Sequence, residues 1–187
     1  MTAEHWIDLR CHPSTPAEAV SAIQVLVNRS GVELQMTFRL DGDIPRIKVS
    51  PPGPSTIGSE LWRQTCFEAF IAVEGEAEYH EFNFAPSRQW TVYALRGYRN
   101  GGPLADEMMR PQIAVRSSRH RLELDAVVRL DTLSAIHQRA SLRIGLAAVI
   151  EVSDGFSYWA LRHRGDKPDF HDADGFALLL EPPGTER

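Results

Sequence analysis

The stretch Val32-Glu33-Leu34-Gln35-Met36-Thr37-Phe38-Arg39-Leu40 decides the fold class. Its apolar residues alternate without a break with Glu33, Gln35, Thr37 and Arg39, the period-two signature of a half-buried β-strand. Upstream, Ile23, Val25 and Val27 alternate in the same way, and Asn28-Arg29-Ser30-Gly31 supplies the turn between the two runs. Downstream, Asp41-Gly42-Asp43 turns the chain into an expected short strand over 44–49, so that two successive hairpins form a meander. Period two dominates the remainder. Strands are expected over 66–73, 79–85, 90–96, 112–116, 121–128, 142–151, 156–161 and 176–180. Turn residues separate several of them, at Glu74-Gly75-Glu76, Asn100-Gly101-Gly102 and Ser153-Asp154-Gly155. Helix is scarce: a short turn over 16–22 capped by Ser14 or Thr15, and one or two turns over 131–138 with Asp131 as N-cap. About ten to twelve short strands at near-regular spacing predict an all-β antiparallel sandwich of jelly-roll or immunoglobulin-like type, with a closed barrel as the alternative. The connections are too short for the crossover helices of a parallel sheet.

The proline- and glycine-rich stretch Ser50-Pro51-Pro52-Gly53-Pro54-Ser55-Thr56-Ile57-Gly58 reads as a surface connector between two sheets. The segment before it lacks the mass for a core of its own, so residues 1–187 are expected to form one domain. A chain of this size buries roughly 70% of its unfolded surface and needs no disulfide or metal staple. Twenty Lys and Arg against 25 Asp and Glu leave a formal net charge of −5. That balance argues against nucleic acid and anionic membrane as partners, both of which require a positive field. No apolar run approaches the 18 or so residues of a membrane-spanning helix. The segment from Met1 to Arg10 has no basic start followed by an apolar run, so the expected location is cytoplasmic, with Cys11 and Cys66 reduced.

Two strands carry the chemistry. In 66–73, Cys66, Glu68, Phe70 and Ala72 share one face, and in 79–84, Tyr79, Glu81 and Asn83 share one. If the strands pair as a hairpin, Glu68, Glu81 and Asn83 lie on one sheet face, and a slip of one residue would move them apart. Carboxylates, an amide and aromatic rings on one face suit a sugar, whose hydroxyls need acceptors and donors and whose C–H face needs a flat ring. Trp62, Trp90, Tyr93, Tyr98, Tyr158 and Trp159 supply the rings. A solvated strand face with aromatics in the core accounts for the same residues.

Other chemistries find less support. Glu68 and Glu81 as acid and base would make a glycan-processing enzyme, which requires two carboxyls about 5 to 10 Å apart across a cleft. His163, Asp169, His171 and Asp172 cluster in one loop, but at no zinc-motif spacing, so no metal is expected. A haem-binding redox module would draw axial ligands from Met108, Met109, His163 or His171, without a CxxCH attachment motif. Dinucleotide, P-loop and nucleophile-elbow motifs are missing from the sequence. Cys66 on a strand reads as a small core residue, and the basic turn over 116–121 as a solvated hairpin tip.

The runs Leu61-Trp62-Arg63-Gln64-Thr65-Cys66-Phe67-Glu68-Ala69-Phe70-Ile71 and Tyr79-His80-Glu81-Phe82-Asn83-Phe84-Ala85-Pro86-Ser87-Arg88-Gln89-Trp90 resemble the DOMON-like bacterial proteins, relatives of carbohydrate-binding module family 9. Tyr158-Trp159-Ala160-Leu161 and Lys167-Pro168-Asp169-Phe170-His171 resemble the same group, and the likeness spans about 23–180. It implies a β-sandwich that binds a sugar or haem without catalysis. On that likeness the ligand contacts would be Trp62, Arg63, Glu68, Glu81, Asn83, Trp90 and Tyr158. Position 88 departs from the pattern, carrying Arg where the group tends to have Gly.

Overall fold

A computed structural model describes residues 5–184. The chain runs through β1 (Trp6–Cys11), β2 (Val20–Ser30), β3 (Glu33–Gly42), β4 (Cys66–Val73), β5 (Tyr79–Phe84) and β6 (Trp90–Leu95). It continues through β7 (Gly101–Leu104), β8 (Gln112–Ser117), β9 (Arg121–Arg129), β10 (Leu142–Val152), β11 (Gly155–Ala160) and β12 (Leu178–Leu180). Every strand pairing is antiparallel, in the order β7-β6-β5-β4-β10-β11-β1-β2-β3-β9-β8, with β12 beside the start of β10.

That path folds over on itself at β1. Trp6 to Leu9 pair with β2, whereas Arg10 and Cys11 pair with Ala160 and Trp159 of β11. One short strand thus belongs to both layers. The layers face each other across a shared core, where the Phe38 ring lies 5.1 Å from Phe67 and 6.4 Å from Phe84. The path ends at β7 on one side and β8 on the other, so among the described residues the sheet stays open and is not a closed barrel.

The alternation read from 32–40 is realised from Glu33 onward: Leu34, Met36, Phe38 and Leu40 are buried and their polar neighbours face outward, while Val32 lies half-buried in the preceding turn. The expected strand over 44–49 does not form. Pro45 offers no N–H to a ladder, and its fixed φ suits the short 3-10 turn Ile44–Arg46 found there. The free edge of β3 is taken instead by β9, in register from Glu33 opposite Arg129 to Asp41 opposite Arg121. The helical turns expected over 131–138 shrink to the 3-10 turn Leu130–Thr132, with Asp131 inside it and not at its N-cap. The Arg29 guanidinium claims the carbonyls of His137 and Ala140 at 2.9 Å each, fixing the rest as irregular turns. No helix forms over 16–22, where β2 begins at Val20, and Gly101 and Gly102 enter β7 instead of making the turn. Unforeseen was β1, although Ile7, Leu9 and Cys11 alternate with Asp8 and Arg10.

Arg88 has a left-handed backbone, φ 72°, which is the conformation a glycine adopts without strain. The departure at that position therefore keeps the backbone geometry while adding a side chain.

The layer containing β4 positions the site. Phe67, Ala69, Ile71 and Val73 point into the core, and Cys66, Glu68, Phe70 and Ala72 point outward, yet all are buried. Segment 162–176 covers the outer face. Phe176 stacks on Phe70 at 5.5 Å and 19°. Gly145, opposite Phe70 in the ladder, leaves the space, since a Cβ there would lie 2.6 Å from the Phe176 ring.

Phe38 joins the two layers, so Phe38→Ala should lower unfolding free energy by about 3–5 kcal/mol. Urea denaturation checks this, and a loss below about 1 kcal/mol would mean that the layers do not interlock at Phe38.

Candidate functional site

Register decides the site, and it falls the productive way. Glu68 pairs with Asn83 and Phe70 with Glu81 between β4 and β5, so Glu68, Glu81 and Asn83 share the outer face. Tyr93 of β6 stands opposite Glu81 on the same face. Segment 162–176 bridges this face and borders a half-open cavity of about 430 Å³. Glu68, Glu81 and Tyr93 form its floor, Trp62 and Tyr158 line its sides, and Phe170 and His171 come from the covering segment. Trp62 is 44% exposed.

Hydrogen bonding within the floor is unequal. Asn83 Nδ2 donates to Glu81 Oε1 at 2.7 Å, and Asn83 Oδ1 accepts from the Cys66 thiol at 3.4 Å. Both ends of the amide are thus committed. On its other side Glu68 faces Ala147, which has nothing to donate. Glu68 is 3% exposed and has no hydrogen-bond partner among the described residues. Burial, and then repulsion from Glu81, hold its carboxyl well above the usual carboxylate range. Glu81 is raised too, by burial, with the Asn83 hydrogen bond and the Arg99 charge opposing the rise.

The covering segment is fastened by a second network. Arg99 N–H donates to Tyr79 Oη at 3.4 Å, leaving the phenol proton for His171 Nδ1 at 2.9 Å. That leaves the proton of the neutral ring on Nε2, 3.6 Å from Glu81 Oε2. Burial, followed by the nearby Arg99 charge, depresses His171 to about 4. The His171 ring is therefore neutral where it meets Glu81, and the contact is not an ion pair. Asp169 accepts from Tyr98 at 2.7 Å and from Arg99 at 2.9 Å, and these bonds outweigh burial to hold it below its ordinary value. Arg99 itself has a left-handed backbone, φ 51°, the kind of local strain that collects at functional sites.

Of the residues named from the sequence, Trp62, Glu68, Glu81 and Tyr158 line the cavity, and Asn83 lies beneath it holding Glu81. Two lie elsewhere. Trp90, opposite Phe84, has the core-facing parity and is fully buried between the layers. Arg63 is turned to solvent, over the Trp62 ring at 4.9 Å and 3.3 Å from Glu60. Tyr93, Arg99, Phe170 and His171 were not among the expected contacts. Parity could have found Tyr93, which lies three residues after Trp90 and faces the other way. Nothing periodic marks Phe170 or His171.

The loop histidines and aspartates are spent on structure. His163 Nε2 meets the Arg10 carbonyl at 2.8 Å, and Asp172 caps the 3-10 turn Ala173–Gly175 through the Asp174 N–H. Met108 is solvent-exposed in the 3-10 turn Glu107–Met109. His171, the imidazole that lines the cavity, has one nitrogen on Tyr79 and the other toward Glu81.

No family model matches the chain, and no curated protein matches it in sequence. In three dimensions it is similar to a candidate carbohydrate-binding protein from Bacteroides uniformis, with a TM-score of 0.70, 12% identity and coverage of 91% of this chain and 83% of that one. It is also similar to a carbohydrate-binding module of family 9 from Caldicellulosiruptor kristjanssonii in complex with glucose, with a TM-score of 0.54, 10% identity and coverage of 98% and 86%. The fold is therefore a CBM9-like antiparallel β-sandwich.

The raised Glu68 carboxyl sets a sign for pH. A carboxyl whose folded pKa exceeds its unfolded value near 4.5 contributes stability below that value and loses it as pH rises. Glu68→Gln removes the loss. The difference in melting temperature, variant minus wild type, should become more positive from pH 4.5 to pH 8. A flat or falling difference in a thermal-shift series would show that the buried carboxyl is not strained by ionisation.

Proposed function

We propose that the protein binds a small sugar, without catalysis, in the cavity between β4, β5, β6 and segment 162–176. The observation that carries this reading is Glu68, a buried carboxyl without a partner that lines an aromatic cavity. Leaving such a group unpaired costs roughly 1–3 kcal/mol, a cost that a bound hydroxyl relieves. Trp62 and Tyr158 at the sides and Tyr93 at the floor offer flat apolar faces to a sugar ring, and Glu81 offers a second polar contact. The cavity volume lies within the range of small-molecule sites. The fold shared with a glucose-bound module supports the same reading.

An acid–base pair is less well served by this geometry. Glu68 and Glu81 are diagonal neighbours on one face of the hairpin, and burial favours the protonated form of both. A glycosidase needs its carboxyls on either side of the scissile bond, with one ionised. The DOMON-like affiliation and a cytoplasmic location belong to the same proposal. The free thiols of Cys11 and Cys66 support a reducing compartment.

A panel of neutral monosaccharides and β-linked disaccharides should contain members that raise the melting temperature and quench tryptophan fluorescence through Trp62. Trp62→Ala should weaken such binding by about five- to tenfold, the worth of one stacked ring. If no sugar in the panel shifts the melting temperature at millimolar concentration, the sugar-site reading fails.

A further inference from the structure

The polar groups of the cavity are unevenly paired, and the imbalance points to a particular kind of sugar. Arg99 is occupied by Asp169, and Arg63 is directed to solvent beside Glu60. His171 stays neutral, with Tyr79 on one nitrogen. Asn83 is shared between Glu81 and Cys66. What remains is the Glu68 carboxyl, 3% exposed, in a cavity also lined by the rings of Tyr93, Tyr158 and Phe170. A carboxyl without a hydrogen-bond partner, beside a second acid and among aromatic rings, matches a compact cation. The ring faces attract positive charge, and a buried carboxylate is stabilised by an opposite charge far more than by a neutral hydroxyl.

We propose that the ligand is a sugar bearing a protonated amine, with its ammonium group against Glu68 and its ring between the aromatic walls. This rests on the sugar-site reading and narrows it. The titratable groups around Glu68 are Cys66 on its own strand, Glu81 on β5, Tyr93 on β6 and Tyr158 on β11, with Arg99 and His171 also lining the cavity. Only Arg99 adds a positive charge, and Asp169 balances it. The exchange of protons follows. The empty site holds Glu68 protonated to a higher pH than an ordinary glutamic acid, because burial opposes its charge. In the pH range where the empty carboxyl is protonated, binding releases its proton to solvent while the ammonium keeps its own, so protein–COOH and R–NH₃⁺ become the pair COO⁻ and R–NH₃⁺ plus one H⁺. Affinity therefore rises with pH while the amine remains charged.

Titration calorimetry with the intact protein tests this, using D-glucose, D-glucosamine and N-acetyl-D-glucosamine as probes. Glucosamine should bind at least about tenfold more tightly than glucose, the gain from replacing a neutral with a charge-assisted hydrogen bond. N-acetylglucosamine, whose amide is uncharged, should show no such gain. Heats measured in two buffers of different ionisation enthalpy should show proton release for glucosamine and none for glucose. Both readouts use the wild-type chain, so they do not depend on any variant folding. In Glu68→Gln the ratio of glucosamine to glucose affinity should fall to about one. Equal binding of glucose and glucosamine by the wild type, or a preference that survives in Glu68→Gln, would overturn the amine assignment while leaving the sugar site intact. Binding of none of the three, with no other sugar shifting the melting temperature, would overturn both.

Discussion

The contact between Phe176 and Phe70 over Gly145 is the constraint on which the outer face depends. A strand face at the surface of an antiparallel sandwich is ordinarily wet, and carboxylates on it cost nothing. Here the stacked phenylalanines pin segment 162–176 across β4 and β10, and Gly145 supplies the clearance. Once that segment is down, Phe170 and His171 are carried over Glu68 and Glu81. The surface strand becomes a strand buried on both sides, and two exposed acids become two desolvated ones. The unusual electrostatics of the site follow from a packing decision made by apolar residues.

A second set of contacts limits how far the segment can move. Tyr98 and Arg99 hold Asp169 from the 96–100 turn, Tyr79 holds His171, and Arg164 pairs with Asp174 within the segment. At the opposite end, the His12 and His163 rings meet edge to face at 4.8 Å, and each has a nitrogen on a backbone carbonyl, Gly165 and Arg10 respectively. The segment is therefore tied at both ends and in the middle, which favours a site formed before its ligand arrives.

Much of this architecture was legible because period-two alternation reports burial directly. Strands such as β3 and β9 show one clean apolar face, and the outward set Glu68, Glu81 and Asn83 could be written down from parity alone. Parity also explains the error at Trp90. Aromatic character suggested a ligand contact, but position 90 belongs to the core-facing set, whereas Tyr93 belongs to the outer one. The missed strand β1 had the right alternation in too short a run. Phe170 and His171 lay beyond reach for a different reason. Their place depends on a long-range contact between Phe176 and a glycine some thirty residues earlier, and no local pattern encodes such a pairing. The strand expected over 44–49 failed for a local reason, the missing N–H of Pro45.

Burying two carboxyls with a single amide between them lowers the stability of the empty protein, yet the arrangement has a return at the binding step. A polar group exposed to solvent must shed its water when a ligand arrives, and that cost cancels most of the hydrogen bond gained. Glu68 has already lost most of its contact with bulk solvent during folding, at the expense of the sandwich as a whole. A ligand donor that reaches it therefore gains a hydrogen bond in a low-dielectric site with little further desolvation of the protein. The geometry is preorganised by the same ladder that sets the register of β4, β5 and β10, so no loop ordering is charged against the affinity. The folding core thus underwrites recognition: the apolar residues on the inner faces of β4 and β5 hold in place the Glu68 carboxyl that lines the cavity.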